Sequence, residues 1–271
     1  MPNKADVLWF KQNFQSEIET AIAGTPYSVD FLVAIACQET GEVWPILRTK
    51  GLSVAQVTAL CVGDTIDANP LDPHKGRRVF PKTKAELLSK PQGDAMFAIA
   101  REALEHMAQF IPSYRGAVQN PNKFCHGYGI FQYDIQFFAE DPADPDYFLQ
   151  KKYEQFSGSL GKALQELNAA AKTIHMDKKS PLSDNDMCAI AIAYNTGRFD
   201  PAKGLKQGFF DGTHFYGENM FNFIQLSRSV QLPDPAVVAQ VAADAKALGD
   251  KMAAADAAKM AAAAPPAQPT G

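Results

Sequence analysis

The run Phe31-Leu32-Val33-Ala34-Ile35-Ala36-Cys37-Gln38-Glu39-Thr40 is apolar until it ends in a carboxylate. As a helix it would set Leu32, Ile35 and Ala36 on the face of Glu39, three to seven residues ahead of it. A carboxylate on an apolar face is costly unless it is paired, protonated or used. Glu39 is therefore a candidate general acid, suited to protonating a leaving-group oxygen. Two further segments carry polar groups with a mechanical logic of their own. In Cys125-His126-Gly127-Tyr128-Gly129-Ile130-Phe131-Gln132-Tyr133-Asp134, Gly127 and Gly129 supply backbone freedom and Ile130 and Phe131 supply anchors. That pattern predicts a tight loop or short β-hairpin lining a cleft, with Gln132 and Asp134 sharing a face in extended chain. In Ala191-Ile192-Ala193-Tyr194-Asn195-Thr196-Gly197, a helix end presents Tyr194 and Asn195 to a groove.

The elements that must position these groups read as helices nearly throughout. Asp6 is placed to cap a first helix bearing Phe10, Phe14, Ile18 and Ile22, stopped by Gly24. Ser28 caps the Glu39 helix and Gly41 stops it. Short helices are predicted from Ser53 to Val62 and, with Thr83 and Glu86 as a capping box, up to Pro91. A longer one runs from about Asp94 to Phe110 with Phe97, Ala100, Leu104, Met107 and Ile111 as its buried stripe. Others follow from Pro145 to about Phe156, Ser159 to Ala171, Ser183 to Gly197 and Glu218 to Ser229. After Leu232-Pro233-Asp234-Pro235 the composition turns to Ala with scattered Asp and Lys. The domain is thus expected to span 1–230, with 231–271 an Ala/Pro-rich tail, exposed helix or disordered.

Composition narrows the class. The chain has 271 residues, 46% of them hydrophobic, and a formal net charge of −4, enough for one good core and no strong attraction to polyanions. Nucleic acid and anionic membrane are disfavoured as main partners. No apolar stretch reaches membrane-spanning length, and no secretory signal pattern opens the sequence. Cys37, Cys61, Cys125 and Cys188 read as small buried hydrophobes, with two disulfides still open. Cys37, Cys125 and His126 fit no metal-ligand spacing, and Cys37 lies too deep in its helix for a stabilised thiolate. No metal or cofactor is expected. The basic loop Asp72-Pro73-His74-Lys75-Gly76-Arg77-Arg78 reads as solvated surface.

In their order, the Glu39 helix, Gly127-Tyr128-Gly129-Ile130-Phe131-Gln132 and Ala193-Tyr194-Asn195-Thr196-Gly197 resemble the lysozyme-like superfamily of soluble lytic transglycosylases and goose-type lysozymes. Those proteins carry Glu-Ser, then Gly-x-Gly-Leu-Met-Gln, then Ala-Tyr-Asn-Ala-Gly. Asp134 falls where goose-type enzymes place an Asp two residues after the Gln. The stretch Tyr216 to Arg228 is similar to that domain's closing helix. Departures exist: Thr40 stands for the usual Ser, Lys123 stands where goose-type enzymes hold a second Asp, and 42–124 is longer than the family's equivalent.

The resemblance implies a mainly α, lysozyme-like fold with an extra helical insertion. It implies cleavage of the β-1,4 bond between N-acetylmuramic acid and N-acetylglucosamine in peptidoglycan glycan strands. Glu39 would be the acid, and Asp134 the group that orients water if the enzyme is a hydrolase. In a lytic transglycosylase the muramic 6-hydroxyl would close an anhydro ring instead. Gly127, Tyr128, Gly129, Ile130, Gln132, Tyr194 and Asn195 would contact the sugar. A non-catalytic wall-binding protein keeping the fold and a chitin- or chitosan-cleaving glycosidase are the alternatives. Delivery to the wall would use a non-standard route, with an immunity, holin or secretion partner.

Overall fold

This computed structural model describes residues 1–65, 77, 79–139 and 144–234, and in the tail 240, 243, 244, 246, 247, 251 and 252. The chain divides into two compact units, Met1–Val230 and Gln231–Gly271. The reading of the tail as exposed helix or disordered falls mostly outside the described residues, as does the basic loop except for Arg77.

Helix α1 (Lys4–Ala21) starts at Asn3, whose side chain accepts from the Ala5 and Asp6 N–H groups. Asp6 is not the cap; it sits at the third helical position and accepts from the Asn3 N–H and from Arg48. Its carboxylate closes a reciprocal box that a single-residue cap reading overlooks. Phe10, Phe14 and Ile18 are buried as their fourfold spacing predicts. Helix α2 (Val29–Thr40) is capped by Ser28 and buries Phe31 through Cys37 without a break. Helix α3 (Trp44–Leu47) drops Trp44 into the core, where its indole N–H donates to the Ala36 carbonyl.

The stretch after α3 departs from expectation at its start. Helix α4 (Val54–Ala59) ends early, and Val62–Thr65 forms strand β1 rather than the end of a helix. Val62 is β-branched and finds an unpaired strand edge, so pairing overrides the local helical pattern. Helices α5 (Lys84–Leu88) and α6 (Gly93–Phe110) follow. On α6 the buried stripe runs through Met96, Ala100, Leu104 and Met107. Phe97 is only half-buried, lying edge-on to Phe124 with the Lys84 ammonium over its other face.

After α7 (Arg115–Val118) come strands β2 (Cys125–Tyr128) and β3 (Tyr133–Asp134), an antiparallel hairpin. The sheet order is β1-β2-β3, with Gly63 opposite Gly127 and Gly127 opposite Asp134. The helix expected from Pro145 to Phe156 splits. Helix α8 (Asp144–Leu149) is followed by a left-handed Lys151 at φ 50° and a 3-10 turn, and α9 (Phe156–Thr173) then begins. Helix α10 (Asp184–Thr196), capped by Ser183, ends on left-handed Gly197, and α11 (Tyr216–Arg228) closes the unit. Among the described residues the architecture is mainly α with one small sheet. Helix α11 packs along α2 and α10, and α10 packs on α9. Lys11, 5% exposed, fastens that arrangement by donating to Asp30 and to the Ser227 and Val230 carbonyls.

Candidate active site

A cleft of about 570 Å³ opens where the C-terminal end of α2 meets the hairpin and the α10–α11 connection. Glu39, Gly127, Gln132, Asp134, Tyr194 and Asn195 all line it. Segments far apart in sequence are therefore brought to one surface, and the bonds that do so are specific. The hairpin turn Gly129–Gln132 pushes Ile130 and Phe131, 0% and 1% exposed, under the helices. Thr40 Oγ donates to the Ile130 carbonyl at 2.7 Å, and Tyr194 Oη donates to the Phe131 carbonyl at 2.6 Å. The residue after Glu39 and the motif tyrosine of α10 thus hold the same turn from two sides.

Glu39 is half-buried in the last turn of α2, and its Oε1 accepts from Tyr216 Oη at 2.6 Å. Tyr216 opens α11 and is 2% exposed. Burial and the nearby Glu39 charge push its phenol well above its ordinary value, so it remains a proton donor. A short bond from a rigid, buried donor fixes one carboxyl oxygen and the side-chain direction of Glu39. In the sequence Tyr216 is marked only as the start of the closing helix, and the α2–α11 packing makes it the partner of Glu39.

Asp134 is occupied in a way its sequence position does not suggest. Arg77 donates to both of its oxygens, and the bond from Nη1 to Oδ2 measures 2.8 Å. His126 Nδ1 lies 3.1 Å from Oδ2, and the Gln136 N–H donates to Oδ1 at 2.7 Å. An ionised carboxylate offers about four lone-pair sites, and these four contacts use them. Burial pushes the Asp134 carboxyl up, but the bonds from His126 and Arg77 and the guanidinium charge outweigh it and hold it below the usual range. Arg77, read from sequence as solvated, has a side chain only 8% exposed and also donates to the Phe80 carbonyl. The reason is the carboxylate: a guanidinium beside a half-buried Asp is worth ordering, and a charge run in sequence does not reveal that partner.

The remaining predicted contacts divide. Tyr128 and Ile130 are fully buried and do not line the cleft; Tyr128 Oη donates back to the Cys125 carbonyl. Gly129, at φ +78°, lies against α9, where an added Cβ would meet Ser159 Oγ at 2.4 Å. It shapes the turn behind the cleft. Gln132 is not in extended chain beside Asp134: its φ is 56°, and its amide donates to the Gly129 carbonyl at 2.8 Å. Its Oε1 fills the space over two paired glycines, where a Cβ on Gly127 or Gly63 would meet it at 2.1 or 2.4 Å. Gly127 therefore gives room to a side chain of the protein itself. Asn195 is exposed at the helix end and faces the cleft.

Other lining groups were invisible in the sequence pattern: Glu42 beside α2, Glu166 on α9, Asp211 in the α10–α11 connection and Tyr114 just before α7. All four cysteines are free and buried, and burial and the Asp6 charge push the Cys37 thiol far up. That environment favours the neutral thiol over a thiolate at Cys37. Among the described residues no group of His, Cys, Asp and Glu is arranged to hold a metal ion. No helix among the described residues is long and apolar enough to cross a membrane. Comparison with protein families, with curated proteins and with solved structures yields no match for this chain.

Proposed function

We propose that the protein is a lysozyme-like muramidase that cleaves the β-1,4 bond between N-acetylmuramic acid and N-acetylglucosamine in peptidoglycan. The observation that carries the reading is Glu39: a half-buried carboxyl in a cleft, gripped at one oxygen by Tyr216 and tied through Thr40 to a hairpin held by Tyr194. A proton donor of this kind needs a fixed direction and an environment that tolerates its neutral form, and the apolar α2 face supplies the latter. Glu39 protonates the glycosidic oxygen as the bond to the anomeric carbon breaks and positive charge spreads onto the ring.

Asp134 orders the cleft wall in this scheme and does not activate water, because its oxygens are already engaged. Two endings complete the reaction. Water adds to the anomeric carbon, or the muramic 6-hydroxyl does so, and in either ending the nucleophile's proton returns to Glu39. Released muropeptides from the two endings differ in mass by one water. The order of the motifs supports the superfamily reading. Glu39→Gln is the decisive variant. It keeps an acceptor for Tyr216 and removes the transferable proton, so turbidity clearing of purified cell walls should fall at least about a hundredfold with the melting temperature little changed. Wall clearing at the wild-type rate by this variant would overturn the assignment.

A further inference from the structure

The connection between α10 and α11 carries an aromatic and an anion to the rim of the cleft. Phe209 lines the cleft yet is 68% exposed, whereas the adjacent Phe210 leans on Phe215 with ring centroids 4.9 Å apart. A phenyl ring left in water on a rim has a flat apolar face available to a ligand. The loop beneath it is fastened: the Tyr216 N–H donates to the Phe209 carbonyl at 2.8 Å, and the Asp211 N–H donates to the His214 carbonyl at 3.1 Å.

Asp211, two residues on, also lines the cleft and is exposed. Its Oδ1 accepts from the Thr213 and His214 N–H groups at 2.7 and 2.9 Å, and its Oδ2 accepts from the buried Asn219 amide at 2.8 Å. These bonds fix the carboxylate at the rim. They also hold it down at about 2, so it is ionised at neutral pH. Along the rest of the cleft stand Glu39, Glu42 and Glu166, and no Lys or Arg is among the described lining residues. The Arg77 charge is spent behind the wall on Asp134. Carboxylates outnumber cationic groups among the described lining residues, which favours a cationic ligand.

An exposed aromatic face and an immobilised carboxylate on one rim match a pyranose ring that carries an ammonium group. The ring's C–H face covers Phe209, and the ammonium meets Asp211 and the ring edge. We propose that Phe209 and Asp211 form a subsite selecting a de-N-acetylated aminosugar, so that the protein prefers glycan strands bearing free 2-amino groups. This rests on the glycan-cleaving reading of the cleft, and extends it to which glycan is taken.

The test measures the full-length protein against three substrates: fully N-acetylated glycan strands, partly de-N-acetylated strands, and the latter after enzymatic removal of stem peptides. The wild type should show a lower KM for the amine-bearing strands by about fivefold, as expected for an exposed charge pair with an aromatic contact. The preference should survive removal of the stem peptides and vanish on chemical re-acetylation. Asp211→Asn and Phe209→Ala should each bring the KM ratio toward one. A preference lost with the stem peptides would assign the amine to the peptide and overturn the sugar subsite, as would an Asp211→Asn protein that keeps the wild-type ratio. Calorimetric titration of Glu39→Gln with glucosamine and N-acetylglucosamine tetramers reads the subsite without turnover. Equal affinity for the two overturns the subsite, and tighter glucosamine binding here together with a wild-type protein that clears no cell walls would leave the subsite standing while the muramidase reading falls.

Discussion

Replacing Arg77 by Met leaves the Asp134 carboxylate in its half-buried place without its guanidinium. The cost follows from exposure. Arg77 is 8% and Asp134 is 23% exposed, so the pair is neither a surface bridge nor a fully buried one. Surface pairs contribute about 0.2–1 kcal/mol, and stranding one partner of a buried pair costs about 3–5 kcal/mol. His126 and the Gln136 N–H still serve Asp134 after the change. We therefore expect Arg77→Met to destabilise the protein by about 2–3 kcal/mol. For a unit of this size that lowers Tm by about 4–12 °C. The acid dependence has a defined sign. The Asp134 carboxyl is depressed in the folded state, so its stabilisation is complete above the unfolded carboxylate value of about 3.9 and is lost as pH falls through the folded one. The difference between wild type and Arg77→Met should consequently shrink on acidification below about pH 4. Urea unfolding of wild type, Arg77→Met, Asp134→Asn and the double variant, at pH 7 and pH 3, measures the coupling directly. A coupling below about 0.5 kcal/mol at pH 7, or one unchanged at pH 3, would refute the clamp.

Three further expectations concern the site itself. Tyr216→Phe removes the donor to Glu39 and should lower kcat about tenfold or more, since a hydrogen bond to a charged group carries about 1.5–3 kcal/mol; unchanged steady-state turnover would remove Tyr216 from the positioning of the acid. Gly127→Ala drives a methyl to 2.1 Å from Gln132 Oε1 and should cost about 1–3 kcal/mol in chemical denaturation, with Gln132→Ala in the same chain restoring much of it; no rescue would mean that the space over Gly127 is not what requires glycine. Glu39→Gln should abolish wall clearing while the buried core around the cleft keeps its unfolding midpoint.

Element by element, the sequence was most informative where periodicity and caps agreed. Ser28, Ser183 and Gly197 mark the ends of the helices that bear Glu39 and Tyr194, because capping is settled within three or four residues. It was least informative where a partner lay far along the chain. Val62 reads as helical until β2 offers it an edge, and Lys151 breaks a helix that its neighbours' pattern predicts to continue. The hairpin was legible as a hairpin, yet the directions of its side chains were not. Tyr128 and Ile130 face the core, and Gln132 folds back over Gly127, because the turn is pulled inward by Thr40 and Tyr194.

By itself, then, the sequence determined the mainly helical class, the principal helix boundaries and the carboxylate Glu39 on an apolar face. Those follow from short-range physics: 3.6-residue periodicity, caps, and the cost of burying an ionisable group. What only the tertiary structure decided is which groups meet. Tyr216 reaches Glu39 across 177 positions and Arg77 reaches Asp134 across 57. Such pairings depend on how α11 lies on α2 and on Arg77 meeting the β2–β3 hairpin, and long-range geometry of that kind leaves no periodic trace in the chain.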